Sequence, residues 1–323
     1  MNNNFPIDIV IAWVDGNDPL HMQKMSPFLD TKSDKIDFIA GATRYRSAGE
    51  IYFCVASILK FAPFVRTIFI ITDEQNPNLD DFLKEHFPNQ NIDIKIIDHK
   101  VIFAGYEQYL PIFNSRAIES MLFRIPDLSE NFVYFNDDVF LLRPVQAADW
   151  FVDNKIVTIG QWRNIFFDRL LRYIAIPKEG IRPFGFKFAQ TNAAQIFWRK
   201  SHYFHMEHTP HARKKSVSAM LFEKYHEHFL KNISYKFRDA AQFNPQELFY
   251  LNMFAEGRAV KDTVDKTLYI KPVERGDGYI ARKIGTFNKR PQIQSGCIGS
   301  LDLATEADQN ILKNWLTKII LEK

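Results

Sequence analysis

Two cysteines in 323 residues, Cys54 and Cys297, are too few and too far apart for a disulfide framework or a cysteine-based zinc site, and they fit a reducing compartment. Nowhere do apolar residues run on for the roughly 18–20 that a membrane span needs. The opening MNNNFPIDIVIAWVDG has no basic leader, and Asp8 and Asp15 bound its apolar run, which argues against a signal peptide and for a cytoplasmic location. Neither sign of charge dominates: 41 Lys and Arg against 38 Asp and Glu leave +3, so composition indicates no extended nucleic-acid footprint. There is no repeat, low-complexity tract or linker. Aromatic residues, by contrast, abound: 30 Phe and 12 Tyr supply core and could supply stacking surface for a sugar or nucleoside. The length fits one large α/β domain or two intimately packed lobes.

Residues 7–14 are almost continuously apolar and β-branched, which predicts a buried parallel strand ending at the turn Asp15-Gly16-Asn17-Asp18-Pro19. Residues 50–61 place Ile51, Val55, Ile58 and Leu59 on one helical face. Strands are predicted at 65–72, 93–97, 132–135 and 156–159, and a helix over 116–125 with Ala117, Ile118, Met121, Leu122 and Ile125 on one stripe. This alternation predicts a mostly parallel, Rossmann-like sheet flanked by helices. Residues 162–256 read as largely helical, and 262–294 as a polar return with short strands. The C-terminal Ile311, Leu312, Trp315, Leu316, Ile319 and Ile320 recur at helical spacing. That face fits docking on the protein's own core better than lying on a membrane, although peripheral contact with the inner face of the plasma membrane stays open.

Four of the predicted strands run into aspartates: Asp15, Asp73, Asp98 and the pair Asp137–Asp138 in NFVYFNDDVFLLRP. Parallel strands would gather these acids at the sheet's carboxyl edge, where α/β folds bind ligands. For Asp73 and Asp98 an ordinary turn role is the better reading. Adjacent Asp137 and Asp138 suit a hard divalent cation, which takes oxygen ligands and bridges protein to phosphate. In YLPIFNSRAIES, Asn114 or Ser115 serves as an N-cap, a substrate contact or both, and Glu119 lies off the capping-box spacing. His205, His208 and His211 lack the partners of a zinc site. Thr209 and Pro210 read as the start of a helix, which would set His208 before an N-terminus that attracts phosphate. There His208 could act as general base, and Arg238 in YKFRD could clamp phosphate oxygens.

Taken together, IDIVIAWVDGNDP, RYRSAGEIYFCVASILKFAPFVRTIFIITDEQ, LPIFNSRAIESMLFRIPDLSENFVYFNDDVFLLRPV and HTPH with its downstream KFRD resemble the Stealth family of sugar-phosphate transferases. These stretches cover about half the chain; CIGSLD, at 297–302, is similar to the family's last region only loosely. The resemblance implies a GT-A-like α/β core with added helices. It implies transfer of hexose-1-phosphate, an N-acetylhexosamine-1-phosphate being favoured, from a UDP-sugar to a glycan or lipid-linked glycan acceptor in bacterial surface-polysaccharide synthesis. UMP would be released with the help of Mg²⁺ or Mn²⁺.

By matching positions, His208, Arg238, Asp138 and Glu119 are the expected catalytic residues and Asp137 and Asp138 the metal ligands. Asp15, Asn114, Ser115 and Asn136 fall on donor-site motifs, and Arg44 is carried over as a phosphate contact. Ser47 and Ala48 depart from the family pattern after that arginine, and the roles of Asp239 and Glu247 stay open. Expected boundaries are 1–160 for the nucleotide-sugar core, 161–260 for a helical lobe with the base and the phosphate-binding arginine, and 261–323 for a segment packing back. Two rival readings are a metal-dependent glycosyltransferase releasing UDP and a non-catalytic glycan-binding protein.

Overall fold

A computed structural model describes residues 5–29, 48–167, 185–198, 201–273 and 275–322. Arg44 and Ser47 lie outside them. At the centre are β1 (Ile7–Ala12), β2 (Thr67–Thr72), β3 (Asp93–Asp98) and β4 (Asn131–Asn136), all mutually parallel, with β1 between β2 and β4. β1 and β2 are buried on both faces, which is why they read as unbroken apolar runs rather than alternating ones. The polar Asp8 inside β1 is matched by the Arg66 fork at 2.8 and 2.5 Å and by the Ser129 N–H. The helix Glu50–Phe61 covers this sheet with Ile51, Cys54, Val55, Ile58 and Leu59 buried. It starts from Gly49 at φ +92°, a left-handed backbone that favours glycine.

β5 (Val139–Leu141) follows β4 directly. Beyond it come β6 (Phe151–Val152), β7 (Lys155–Thr158), β8 (Gly160–Asn164), β9 (His202–Met206) and β10 (His211–Lys214). The stretch expected to be largely helical therefore carries strands between its helices Phe186–Ile196, Lys215–Lys224, His226–Ile233 and Pro245–Ala255. The helix start expected at Thr209-Pro210 is corrected: residues 211–214 form β10, antiparallel to β4, with His211 opposite Tyr134 and Lys214 opposite Asn131. The open edge of β4 offers a ladder of backbone partners, and that tertiary pairing overrides the local Thr-Pro signal. His208 is thus in a loop before a strand, and the helix begins only at Lys215.

β11 (Ala259–Lys261) pairs with β7. β12 (Thr267–Ile270) pairs with β13 (Ser295–Ile298), which pairs in turn with β5. One apolar cluster runs from Ile7 to Ile320 and so joins all three stretches of the chain. The helix expected over 116–125 is shorter, Ser115–Glu119 followed by a 3-10 turn at Leu122–Arg124, yet the whole apolar stripe is buried. The C-terminal helix Glu306–Leu316 and the turn after it bury Leu312, Leu316 and Ile320, and the Lys60 ammonium donates to the carbonyls of Ile319 and Glu322. No helix among the described residues is long and apolar enough to cross a membrane.

Candidate active site

A cavity of about 360 Å³ opens beyond the carboxyl ends of β1 and β4, as the parallel topology requires of a ligand site. Asn136 reaches it from the end of β4, Asp137 and Asp138 from the turn into β5, and Asn114, Ser115 and Glu119 from the short helix and its cap. His208 and Arg238 complete the set of expected residues on its wall. Asp15 is elsewhere: its carboxylate accepts the Asn17 N–H at 2.9 Å, its own N–H donates to Gln75, and it shapes a loop outside the cavity wall. Asp73 and Asp98 also stay off the wall. Asp73 pairs with Lys24 at 3.2 Å, and Asp98 accepts the N–H groups of Glu74 and Lys100.

Asn114 does two jobs at once. Its carbonyl oxygen caps the helix by accepting from Arg116 and Ala117, and its amide donates to the carbonyls of Tyr235 and Phe237. One buried side chain thereby fixes the helix start and the segment that delivers Arg238. The guanidinium then donates to Ser115 Oγ at 3.0 Å. Glu119 is buried behind it, facing the Tyr134 hydroxyl, which lies 3.4 Å from Glu119 Oε1 and 2.8 Å from Asn136 Oδ1. Burial raises the Glu119 carboxyl above its ordinary range, opposed by the charges of Arg213, Arg238 and Arg116.

The acidic pair is held at a cost. Burial, then Asp138 and Glu50, push the Asp137 carboxyl well above its ordinary value. Burial lifts Asp138 to about 6, although a hydrogen bond from Cys297, its backbone environment and Arg238 pull the other way. Glu50 is raised as well, first by burial and then by Asp138 and Asp302. Adjacent acids that resist ionisation are what a divalent cation relieves, so the donor set fits Mg²⁺ or Mn²⁺. Among the described residues no group of three or more His, Cys, Asp and Glu is disposed to hold a metal. Asp137 and Asp138 would therefore share a cation with ligand phosphates and water, the usual habit of Mg²⁺.

The three spaced histidines go separate ways. His205 meets Gln190, His211 meets the Tyr250 hydroxyl at 3.0 Å, and only His208 reaches the cavity. Burial, then the charge of Arg238, lower its imidazole below the ordinary value, which favours the neutral form that can accept a proton. Sequence reasoning did not single out Glu50, Phe186 and Tyr269 for this wall, and it gave Cys297 and Asp302 no role. The only signal toward the last two was CIGSLD, whose Gly299, Ser300 and Asp302 line the cavity.

Residues 5–33 match the family profile described as Stealth protein CR1, conserved region 1, and residues 44–159 match Stealth protein CR2, conserved region 2. The chain is 34% identical over 261 residues to the capsular polysaccharide phosphotransferase cps1A of Actinobacillus pleuropneumoniae, covering 79% of this chain and 67% of that protein. It is 30% identical over 280 residues to the exopolysaccharide phosphotransferase cps2G of Lactiplantibacillus plantarum, covering 76% and 79%. Other relatives are spanned less fully: the match to capsular polysaccharide phosphotransferase cps12A of Actinobacillus pleuropneumoniae is 44% identical but covers 39% of that protein. Among solved structures, a galactosyltransferase LgtC complex with donor and acceptor sugar analogues overlaps 90% of this chain and 86% of its own, at 13% identity and a TM-score of 0.42.

Proposed function

The chain belongs to the Stealth family, and from that membership together with the cavity we propose that it transfers hexose-1-phosphate, in particular N-acetylhexosamine-1-phosphate, from a UDP-sugar to a glycan hydroxyl in surface-polysaccharide synthesis. The observation that supports this reading is the meeting, on one cavity wall, of His208, the Ser115-anchored Arg238 and the Asp137–Asp138 pair. An inverting glycosyl transfer would also use a base on the acceptor hydroxyl, so it is the family membership that favours transfer of the sugar phosphate.

In the proposed step His208 accepts the proton of the acceptor hydroxyl, and that oxygen forms a bond to the β-phosphorus. The bond from the β-phosphorus to the bridging oxygen breaks, and UMP leaves with that oxygen. Arg238 stabilises charge on the transferring group, where a preorganised donor is worth about 3–4 kcal/mol of barrier. Glu119, buried and under the influence of the charges of Arg213, Arg238 and Arg116, balances this cluster of cations. Asp137 and Asp138 would hold a divalent cation, which would supply neutralisation of the diphosphate. Asn136 and Asn114 shape the donor side of the wall. The acceptor is a glycan or lipid-linked glycan.

The test is to incubate the protein with UDP-hexoses, Mg²⁺ and glycan acceptors and to identify the released nucleotide. UMP with a new phosphodiester signal in ³¹P NMR is expected, together with a loss of roughly a hundredfold or more in rate for His208→Ala. Release of UDP would instead mean glycosidic-bond formation and overturn the assignment.

A further inference from the structure

His208 is an unusual base in one respect. A catalytic imidazole is ordinarily oriented by a hydrogen bond to one ring nitrogen from a carboxylate or carbonyl. Among the described residues no such bond reaches either nitrogen of His208. Instead two aromatic rings stack on it: Phe186 at 4.7 Å between centroids and 27° between planes, and Tyr269 at 5.1 Å and 16°. Both aromatics line the cavity with it. Two near-parallel rings stacked on the imidazole oppose its rotation about the χ2 axis.

Tyr269 is itself held. It stands opposite Cys297 in the β12–β13 ladder, so the two side chains share one face of that small sheet. Cys297 Sγ donates to Asp138 Oδ2 at 3.4 Å, and the Ile298 N–H donates to the Asp138 carbonyl at 3.0 Å. Gly299 crowds the Tyr269 hydroxyl so closely that a Cβ there would lie 3.1 Å from it. One ladder therefore ties the ring beneath His208 to the acidic turn.

We propose that Phe186 and Tyr269 are positioning residues that clamp His208 by its faces and set the direction of its basic nitrogen, in place of a hydrogen-bonded orienting partner. The proposal rests on the reading of His208 as the base. Removing a ring frees the imidazole to turn, so the chemical step suffers more than donor affinity does.

The experiment measures kcat and donor KM for Tyr269→Leu, Phe186→Leu, Tyr269→Phe and His208→Ala, with thermal midpoints and the His208 ring-proton resonances. Expected are kcat losses of about tenfold or more for each leucine variant, donor KM within about twofold, and loss of the upfield ring-current shift on His208 protons. Tyr269→Phe, which keeps the ring, recovers most of the loss. Normal kcat in either folded leucine variant overturns the clamp, and so does a Tyr269→Phe loss equal to that of Tyr269→Leu, which would assign the effect to the hydroxyl. If a leucine variant does not fold, the other one and the wild-type His208 resonances decide: ring protons without a stacking shift overturn the clamp. Retained activity in His208→Ala breaks the reading of the base, a separate outcome.

Discussion

Asp73 and Asp138 both follow buried parallel strands of one sheet and stand at the same edge, yet the protein treats them in opposite ways. Burial pushes the Asp73 carboxyl up, but a hydrogen bond from His21 and the charges of His99 and Lys24 outweigh it and hold it at about 2; burial lowers His99 itself to about 4, so near neutral pH the built-in cation is Lys24. Burial pushes Asp138 up as well, and there it wins, to about 6. One acid has its cation built in, and the other sits in a cavity beside Asp137 with the Cys297 thiol donating to it. A carboxylate at a strand end is therefore not in itself a signal of function. What separates a structural acid from a ligand-seeking one is whether the fold supplies the counter-charge.

The comparison is easiest to break at Asp138. Asp138→Asn should lower kcat by roughly a hundredfold or more, because it removes a cation ligand from the diphosphate site. The same exchange should leave thermal stability unchanged or raise it, since an uncompensated charge is no longer held in the protein. Mg²⁺ titrated into the unliganded protein should raise the thermal midpoint of wild type and not of Asp138→Asn. A destabilised Asp138→Asn with an intact Mg²⁺ response would show that the two acids do not differ as described.

Asp73→Asn should do the reverse, sparing kcat to within a few-fold while destabilising the fold. A folded value of about 2 against the ordinary 3.8 corresponds to about 2 kcal/mol. Because the folded value is depressed, that contribution is fully present above about 3.8 and is lost as pH falls toward 2. The deficit of the variant, read from denaturant midpoints, should therefore shrink across that window. A deficit that did not change with pH would point to packing of the Asp73 side chain rather than its charge.

This difference between the two acids was partly legible in the sequence. The runs at 7–14 and 132–135 give parallel strands, and Asn114 to Glu119 and Asn136 to Asp138 are contiguous motifs that one turn or helix start delivers to a wall. Asp73 reads as structural because Asp serves turns, though nothing local names Lys24, 49 residues away, as its partner. The residues that escaped notice arrive by long-range pairing. Tyr269 reaches His208 only because β12 lies on β13 and β13 on β5, and no periodicity within residues 262–294 encodes that. The misread start at Thr209-Pro210 has the same origin, since the free edge of β4 recruited the segment that follows.

The smallest expected effect concerns charge beside an imidazole instead of a carboxylate. A nearby cation holds Asp73 in its ionised form, and the same sign of charge keeps His208 in its neutral form, because there the protonated state is the charged one. The base works only when neutral, so kcat/KM should fall on the acid side along a limb set below the ordinary imidazole value of 6.5. Arg238→Gln removes the second cause of that depression and leaves the first, burial, in place. Its normalised pH profile should move the limb toward higher pH by a fraction of a unit, on top of the loss of rate. A limb that stays put, with His208→Ala inactive, would mean that burial alone sets the base and that Arg238 acts only on the transferring phosphate.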